Sequence, residues 1–494
     1  MLRSALAALA LTASGAAAIG TAQSPAHAAD GDPVVTLLGK DTLHLTTYRG
    51  QAYTNFGLQL HVDNAPLEIW SQRPSYDDQV VVTQKLASGD RTFPEGVTDH
   101  IGDLDGFVTA SFVPTGKTAG KQFARKMDGC LTAASRLVPS AVLRSPYPEG
   151  CFYNPYALGA VQGIPAGWSG HVLANNYDKP FHIKPGTYTA TFVVSPEYAE
   201  TIGLSEDNRT VTTTVVVKKG GVDDCRRGCR TPAPGTARAQ RGDQPEPKRP
   251  TGEGITSAAE LPEGTPVPDM RALPAFGISL NNAGTQLRFG ATVWDGGTSD
   301  MVVDGFRREG EDVMDAYQYF LDSDGNVVDY AQVGTMEWDP DPTHHHWHFK
   351  DFATYSLVGA DESTVAVSGK ESFCLANTDA VDMTGAGAKM TINYDDLGSS
   401  CGGHGALSIR ESLAAGWGDT YVQYRAGQSL PIKNVPDGTY YVKVQANPNG
   451  NLIESDTTNN SSLREIKLST NAQGVRKLKV YQVGIVDDEG YFNY

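Results

Sequence analysis

Three histidines at alternate positions, His344, His346 and His348, are the densest concentration of metal-ligand chemistry in the 494-residue chain. In an extended segment successive side chains point to opposite faces, so these three share one face while His345 and Trp347 take the other. Three imidazoles on one face can converge on one metal ion. Neutral imidazole suits copper, zinc, iron and nickel, and an all-nitrogen site with positions open to water or oxygen suits Cu(II). The competing reading is a solvated His-rich loop that scavenges metal without function. Trp347, Phe349, Phe352 and Tyr355 interleave with the histidines, which argues for a packed strand. His345 is left on the outer side, where it could orient a neighbouring ligand.

The elements that must position such a face are strands. Gly, Pro and Tyr are abundant, at 53, 28 and 21 residues, and long helical heptads are absent, a composition of short strands and turns. The expected class is all-β, as two antiparallel β-sandwich domains with long loops, since the chain is too long for one ordinary core. A stretch rich in Pro, Gly, Arg, Asp and Glu, residues 218–265, has almost no aromatic residues and no apolar period, so it reads as a linker. It separates residues 29–217 from residues 266–494.

The two halves repeat one order of features. Lys126 stands four residues before Cys130, and Lys370 four before Cys374; "PGTYTATFVV" from Pro185 answers "DGTYYVKVQA" from Asp437. We read a degenerate duplication. Aligning Phe107-Val108-Thr109 with Phe352-Ala353-Thr354 sets Asp99, Ile101 and Asp103 opposite the three histidines, and aligning the Ala-Gly-Trp turns sets Val172 opposite Tyr421. The chemistry is therefore expected in the second half, with the first as a non-catalytic scaffold or docking module.

Arg3, the mostly apolar run from Ala5 to Ile19 and the small-residue site Ala26-His27-Ala28 read as a secretory signal over residues 1–28, which predicts a secreted, extracellular protein without a transmembrane segment. Its six cysteines are then read as neighbouring disulfides, Cys130 with Cys151, Cys225 with Cys229, and Cys374 with Cys401. A formal net charge of −17 argues against nucleic acid as a partner and favours cationic small molecules or basic protein surfaces.

The second half resembles the catalytic domain of the lysyl oxidase family. The likeness rests on separated motifs in the family's order: Pro268-Asp269-Met270, Leu287-Arg288-Phe289, the His-x-His-x-His run, Gly369-Lys370-Glu371-Ser372-Phe373-Cys374-Leu375, Asp419-Thr420-Tyr421, and Glu454-Ser455-Asp456-Thr457-Thr458-Asn459-Asn460. The resemblance implies copper on His344, His346 and His348, and a lysine tyrosylquinone cofactor made by crosslinking Lys370 to Tyr421. It also implies a Ca²⁺ site of Asp269, Glu454, Asp456, Asn459, Asn460 and the backbone carbonyl of Met270, an oxygen set that suits a hard cation. Where animal members carry a cysteine beside the histidines, this chain has Asp339-Pro340-Asp341-Pro342.

The implied activity is the oxidation of a primary amine, a small molecule or a lysine side chain of an extracellular protein, by O₂. Unmodified side chains offer no good sink for two electrons, so a cofactor must carry that step. Lys370 must be neutral to attack the oxidised ring of Tyr421, which burial near positive charge would favour. Asp351 and His404 are both candidates for the base that removes the substrate's α-proton, and the residues alone do not choose between them. The rival reading is a secreted copper-binding or adhesion protein that forms no quinone.

Overall fold

A computed structural model describes residues 31–118, 120–173, 180–220, 248–340, 345–370, 372–392 and 399–488. The expected signal segment, the Cys225 and Cys229 pair and His344 lie outside these residues. The chain is all-β: the described helices amount to one short α-helix, Pro196–Thr201, and one 3-10 turn. No helix of the described residues is long and apolar enough to cross a membrane. Two of the neighbouring cysteine pairs are disulfides, Cys130–Cys151 and Cys374–Cys401, closing loops of 21 and 27 residues.

One buried apolar cluster lies within residues 35–217, where Phe56, Phe112 and Phe192 meet at ring distances of 5.2 to 6.0 Å. Another lies within residues 270–468 and includes Trp347, Phe349, Phe352 and Tyr355, the aromatic residues that interleave with the histidines. Strands in both halves bury alternate residues, as Gly186–Val194 and Gly438–Ala446 do, because only one face of each meets a core.

A five-stranded sheet in each half carries the same register. Strand Gly186–Val194 runs between Leu104–Thr115 and Thr210–Lys219, with Val194 opposite Val108 and Gly186 opposite Val217. Strand Gly438–Ala446 runs between Ala353–Val358 and Ser461–Thr470, with Ala446 opposite Ala353 and Gly438 opposite Leu468. Beyond each strand end the backbone bond repeats too, Ser195 N–H to Phe107 O and Asn447 N–H to Phe352 O, both at 2.8 Å. The hydroxyls of Tyr188 and Tyr440 each donate to the carbonyl four residues earlier. The outer strands differ: Thr42–Thr47 joins its sheet in parallel, whereas Arg476–Val480 joins antiparallel.

The halves are packed together through a shared buried cluster. Trp70, Tyr147 and Val161 of the first half share a buried cluster with Ala380, Met383, Ala414 and Trp417 of the second. Backbone bonds cross the seam from Leu158 N–H to Val381 O at 2.6 Å and from Met383 N–H to Gly159 O at 2.9 Å. Gly159 is needed there, since a Cβ would sit 2.3 Å from Thr384 Oγ1 and 2.4 Å from Asp382 Oδ1. Buried Asn154 reaches across to donate to Thr292 Oγ1 at 2.9 Å and to Asp379 Oδ2 at 3.4 Å.

Truncating that amide would leave buried acceptors without a donor, at a cost of about 1–3 kcal/mol. Asn154→Ala is therefore expected to lower Tm by several degrees in a calorimetric scan; an unchanged Tm would show that the seam does not contribute to stability through this residue.

Candidate active site

The strand His346–Lys350 lies inside a sheet, paired to Val327–Asp339 on one side and to Ser372–Phe373 on the other. Trp347 and Phe349 face the core and are fully buried, which fixes the strand's rotation and sends His346 and His348 to the opposite face. Their rings lie 4.6 Å apart at 80°. His348 is buried, with Nδ1 3.5 Å from Asp339 Oδ2 and 3.4 Å from Ser372 Oγ. His345, at φ 45°, precedes the strand and lies along the ring of Trp338 with centroids 6.4 Å apart, on the side of Trp347.

Lys370 and Tyr421 come from distant segments and meet. Tyr421 ends strand Trp417–Tyr421, which is held against Gln286–Asp295 with Ala291 opposite Tyr421. Lys370 follows strand Thr364–Val367, and its backbone N–H donates to Ser368 Oγ, whose hydroxyl donates to Gly427 O at 2.5 Å. Gly427 lies at φ 81°, and a Cβ there would be 2.8 Å from Lys370 Cβ, so the turn admits the lysine only because it has no side chain. The Lys370 Nζ stands 4.3 Å from the Tyr421 ring centroid and 4.7 Å from that of Phe373, and donates to Ser372 O at 3.0 Å. The Tyr421 hydroxyl donates to Cys374 O at 3.3 Å, and Phe373 meets its ring edge-on at 5.5 Å. Ser372 thus links the two parts of the site, its carbonyl holding Lys370 and its hydroxyl reaching His348.

Burial dominates the electrostatics. It pushes the Lys370 ammonium below the ordinary lysine range against the opposing charges of Asp419 and Asp339. It pushes the Tyr421 phenol up, with the charges of Asp419, Tyr355 and Glu411 adding to the shift. Asp419 and Glu411 are buried and raised well above the usual carboxylate range, chiefly by desolvation, and the buried Asp379 is raised as well. Sequence reasoning assigned no role to these three carboxyls. Asp419 could have been found by alternation, since it lies two residues before Tyr421 on one strand and so on the same face. Glu411 and Asp379 carried no such signal.

Neither candidate base has a hydrogen bond or ion pair to the lysine or the tyrosine among the described residues. Asp351 occupies a left-handed turn, φ 58°, between the histidine strand and Ala353–Val358, with no hydrogen bond or ion pair to Lys370 or Tyr421. His404 is exposed, 2.9 Å from Asp312 Oδ1 and 4.9 Å from the Trp338 ring centroid, on the side of the sheet away from His348.

Five of the oxygen-bearing residues form a second cluster. Glu454 accepts from Met270 N–H at 2.8 Å, Asn447 Nδ2 at 2.6 Å and Asn460 Nδ2 at 2.7 Å; Asn459 Nδ2 lies 3.1 Å from both oxygens of Asp269. Burial, with repulsion from Asp269, raises the Glu454 carboxyl against the three donors. The amide oxygens of Asn459 and Asn460 are buried without a donor. A hard cation among them would satisfy these oxygens and the paired carboxylates together, so the residues fit Ca²⁺. Asp456 lies at the exposed edge, its Oδ1 taken by the N–H and hydroxyl of Thr458 at 2.8 and 2.6 Å.

The site lies in an all-β domain that lays a lysine against a tyrosine ring beside a pair of strand histidines, and comparison with known proteins finds relatives of this part of the chain. The family model described as lysyl oxidase matches residues 321–477, a span that contains the histidine strand, Lys370, Tyr421 and the acidic loop through Asn460. Lysyl oxidase homolog 1 of Homo sapiens is 32% identical over 128 residues, covering 26% of this chain and 19% of that protein. Lysyl oxidase homolog 3B of Danio rerio is 30% identical over 131 residues, covering 26% and 14%, and lysyl oxidase homolog 2 of Gallus gallus 30% over 128 residues, covering 26% and 15%. Over residues 321–477 the chain is similar to the lysyl oxidase family, and it spans 14 to 19% of the length of these curated relatives.

Glu411 offers a test of the buried carboxyls. Its folded-state pKa is raised, so the folded protein holds a proton that the unfolded chain loses first. Its contribution to stability is full below the ordinary carboxylate range and is lost as pH rises through the raised value, by at most about 1.4 kcal/mol per pH unit. Glu411→Gln, which cannot ionise, should flatten the fall in stability above that range in urea titrations at several pH values; an unaltered profile would show that Glu411 does not titrate there.

Proposed function

We propose that the protein is a copper-dependent amine oxidase that converts primary amines to aldehydes with a cofactor built from Lys370 and Tyr421. The overall reaction is R–CH₂–NH₂ + O₂ + H₂O giving R–CHO + NH₃ + H₂O₂. One observation carries the reading: the Lys370 Nζ stands 4.3 Å from the ring of Tyr421, although 51 positions separate them. A surface lysine or an ordinary core tyrosine would not require the two to be buried face to face.

His346 and His348 present imidazoles from one strand face, and with His344 they would hold copper. The contacts of His348 Nδ1 with Asp339 and Ser372 leave Nε2 as the nitrogen to offer a metal. When bound, copper supplies the means of activating O₂ toward the Tyr421 ring, and lysine tyrosylquinone supplies the two-electron sink that side chains lack. The chain's own residues do the positioning. Ser372 O holds the Lys370 amine over the ring, Cys374 O fixes the Tyr421 hydroxyl, and Phe373 closes the edge. Desolvation lowers the cost of a neutral amine at Lys370.

In this reading Ca²⁺ is held by Asp269, Glu454, Asp456, Asn459, Asn460 and the carbonyl of Met270. Residues 266–494 are the catalytic domain, residues 29–217 a non-catalytic domain, and residues 218–265 the linker between them. The protein acts outside the cell on small amines or on lysine side chains of extracellular proteins, and its net charge of −17 draws cationic substrates.

The reading is tested on copper-loaded protein. Wild type should yield a peptide joining the Lys370 and Tyr421 segments, react with phenylhydrazine to give a coloured adduct, and release peroxide from an amine panel. Tyr421→Phe should lose all three with copper still bound. Bound copper with no joined peptide in the wild type would reduce the protein to a copper-binding β-sandwich.

Calcium has a separate readout. A ligand at about a hundred times its Kd stabilises the folded state by about 2.7 kcal/mol, so added Ca²⁺ should raise Tm in wild type and leave Glu454→Ala unmoved; equal shifts in both would place the ion elsewhere.

A further inference from the structure

The oxygen-rich cluster around Asp269 contains a positive charge of the chain's own. Asp269 and Arg271 lie two positions apart where the chain enters the strand Met270–Ala272, so they share a face. Arg271 Nε donates to Asp269 Oδ2 at 2.7 Å, and its Nη2 lies 2.6 Å from the same oxygen. The side chain of Asp269 is 3% exposed and that of Arg271 is 39% exposed. The guanidinium therefore has a route to solvent that the carboxylate lacks.

The seat of the guanidinium is shaped by the neighbouring strand. Arg271 stands opposite Trp294 in the pairing of Met270–Ala272 with Gln286–Asp295, and its guanidinium carbon lies 5.4 Å from the Trp294 ring centroid. A Cβ at Gly296 would come within 2.6 Å of Arg271 Nε, so the guanidinium lies in space that the glycine leaves open.

The remaining groups around Asp269 suit a hard cation. Asn459 Nδ2 is 3.1 Å from both Asp269 oxygens, and the amide oxygens of Asn459 and Asn460 are buried without a donor. Ca²⁺ coordinates oxygen at about 2.3–2.6 Å, which on Asp269 would set it close to nitrogens already in contact with the same carboxylate. Two like charges on one buried group repel strongly, because little water lies between them to screen the field.

We propose that Arg271 competes with Ca²⁺ for Asp269: the guanidinium neutralises the buried carboxylate when no cation is bound and swings toward solvent when one binds. One counter-ion replaces another, and no covalent bond changes. The inference rests on the calcium reading given above and deepens it, because a site with its own counter-ion releases Ca²⁺ more readily than one without it. A charge within about 4–6 Å of a carboxylate changes its proton affinity by about 1–3 units, and a divalent ion on that carboxylate senses the same field, so the competition should weaken Ca²⁺ binding by at least about tenfold.

The test is calorimetric titration of CaCl₂ into the full chain, freed of calcium by dialysis against a chelator. Arg271→Gln should bind Ca²⁺ at least about tenfold more tightly than wild type, and Arg271→Lys, which keeps the charge, should stay near wild type. Structural damage would weaken binding, so the sign of the change separates the two causes. Equal or weaker affinity in Arg271→Gln would overturn the proposal, as would an Arg271→Lys that binds as tightly as Arg271→Gln.

Should Arg271→Gln not fold, wild type decides. Phenylglyoxal modifies accessible guanidinium groups, and peptide mapping should find Arg271 modified faster in saturating Ca²⁺ than without it; an equal or slower rate would overturn the proposal. Absence of calcium binding in wild type and Arg271→Gln alike would instead defeat the calcium reading itself, and this inference with it.

Discussion

Desolvation of charge is the constraint on which the second half of this protein depends. Lys370, Asp419, Glu411 and Tyr421 are withdrawn from water into one region, and burial is the largest cause of the shift in proton affinity of each. Such groups are costly to hold, and a fold optimised for stability alone would replace them with apolar residues of similar volume. Strand pairing makes the arrangement possible. Asp419 and Tyr421 are set on one face by the pleat of Trp417–Tyr421, and Lys370 is laid against them by a turn that only Gly427 can accommodate. The same withdrawal that destabilises the charges lays the Lys370 amine over the Tyr421 ring, 4.3 Å from its centroid.

Local pattern was readable where it reports on local structure. The alternation of His346, Trp347, His348 and Phe349 placed the histidines together and the aromatic residues in the core, because a strand's period of two is a property of the backbone. Neighbour pairing of Cys130 with Cys151 and Cys374 with Cys401 followed from the repeat. What the residues alone could not disclose depended on distant segments. Lys370 has no local feature that separates it from a surface lysine, and its nearness to Tyr421 came through family resemblance. Asp351 drew attention because it follows the histidines closely in sequence, yet a left-handed turn carries the chain onward there. Glu411, whose charge acts on Tyr421, and Asp379, whose charge acts on Asp419, have no feature of type or spacing that singles them out.

The two halves show how one sheet can serve different ends. Their central strands share register to the residue, yet Lys126 lies on an exposed stretch of Phe123–Gly129, opposite Thr109, at a cleft of about 430 Å³ that Glu95, Asp105 and Glu197 also line. Lys370 follows its strand, turns inward and is buried. Identical pairing therefore preserves the sheet without preserving the site, because the chemistry sits in the loops beyond the strand ends, where insertions and turns change freely while the core does not.

The first half nevertheless touches the second where it matters. Asn154 bonds to Thr292, Thr292 Oγ1 meets Thr420 Oγ1 at 2.7 Å, and Thr420 precedes Tyr421. Trp417, at the other end of the same strand, meets Phe152 of the first half edge-on at 4.6 Å. The strand that presents Tyr421 is thus held from behind by residues of the other half, at both ends, through buried and half-buried groups. A side chain that must keep its ring in reach of an amine gains from such backing, since small shifts in a supporting strand translate directly into the distance between reacting atoms. The first half is then part of the framework that positions the ring, even though the groups of the proposed chemistry all come from the second.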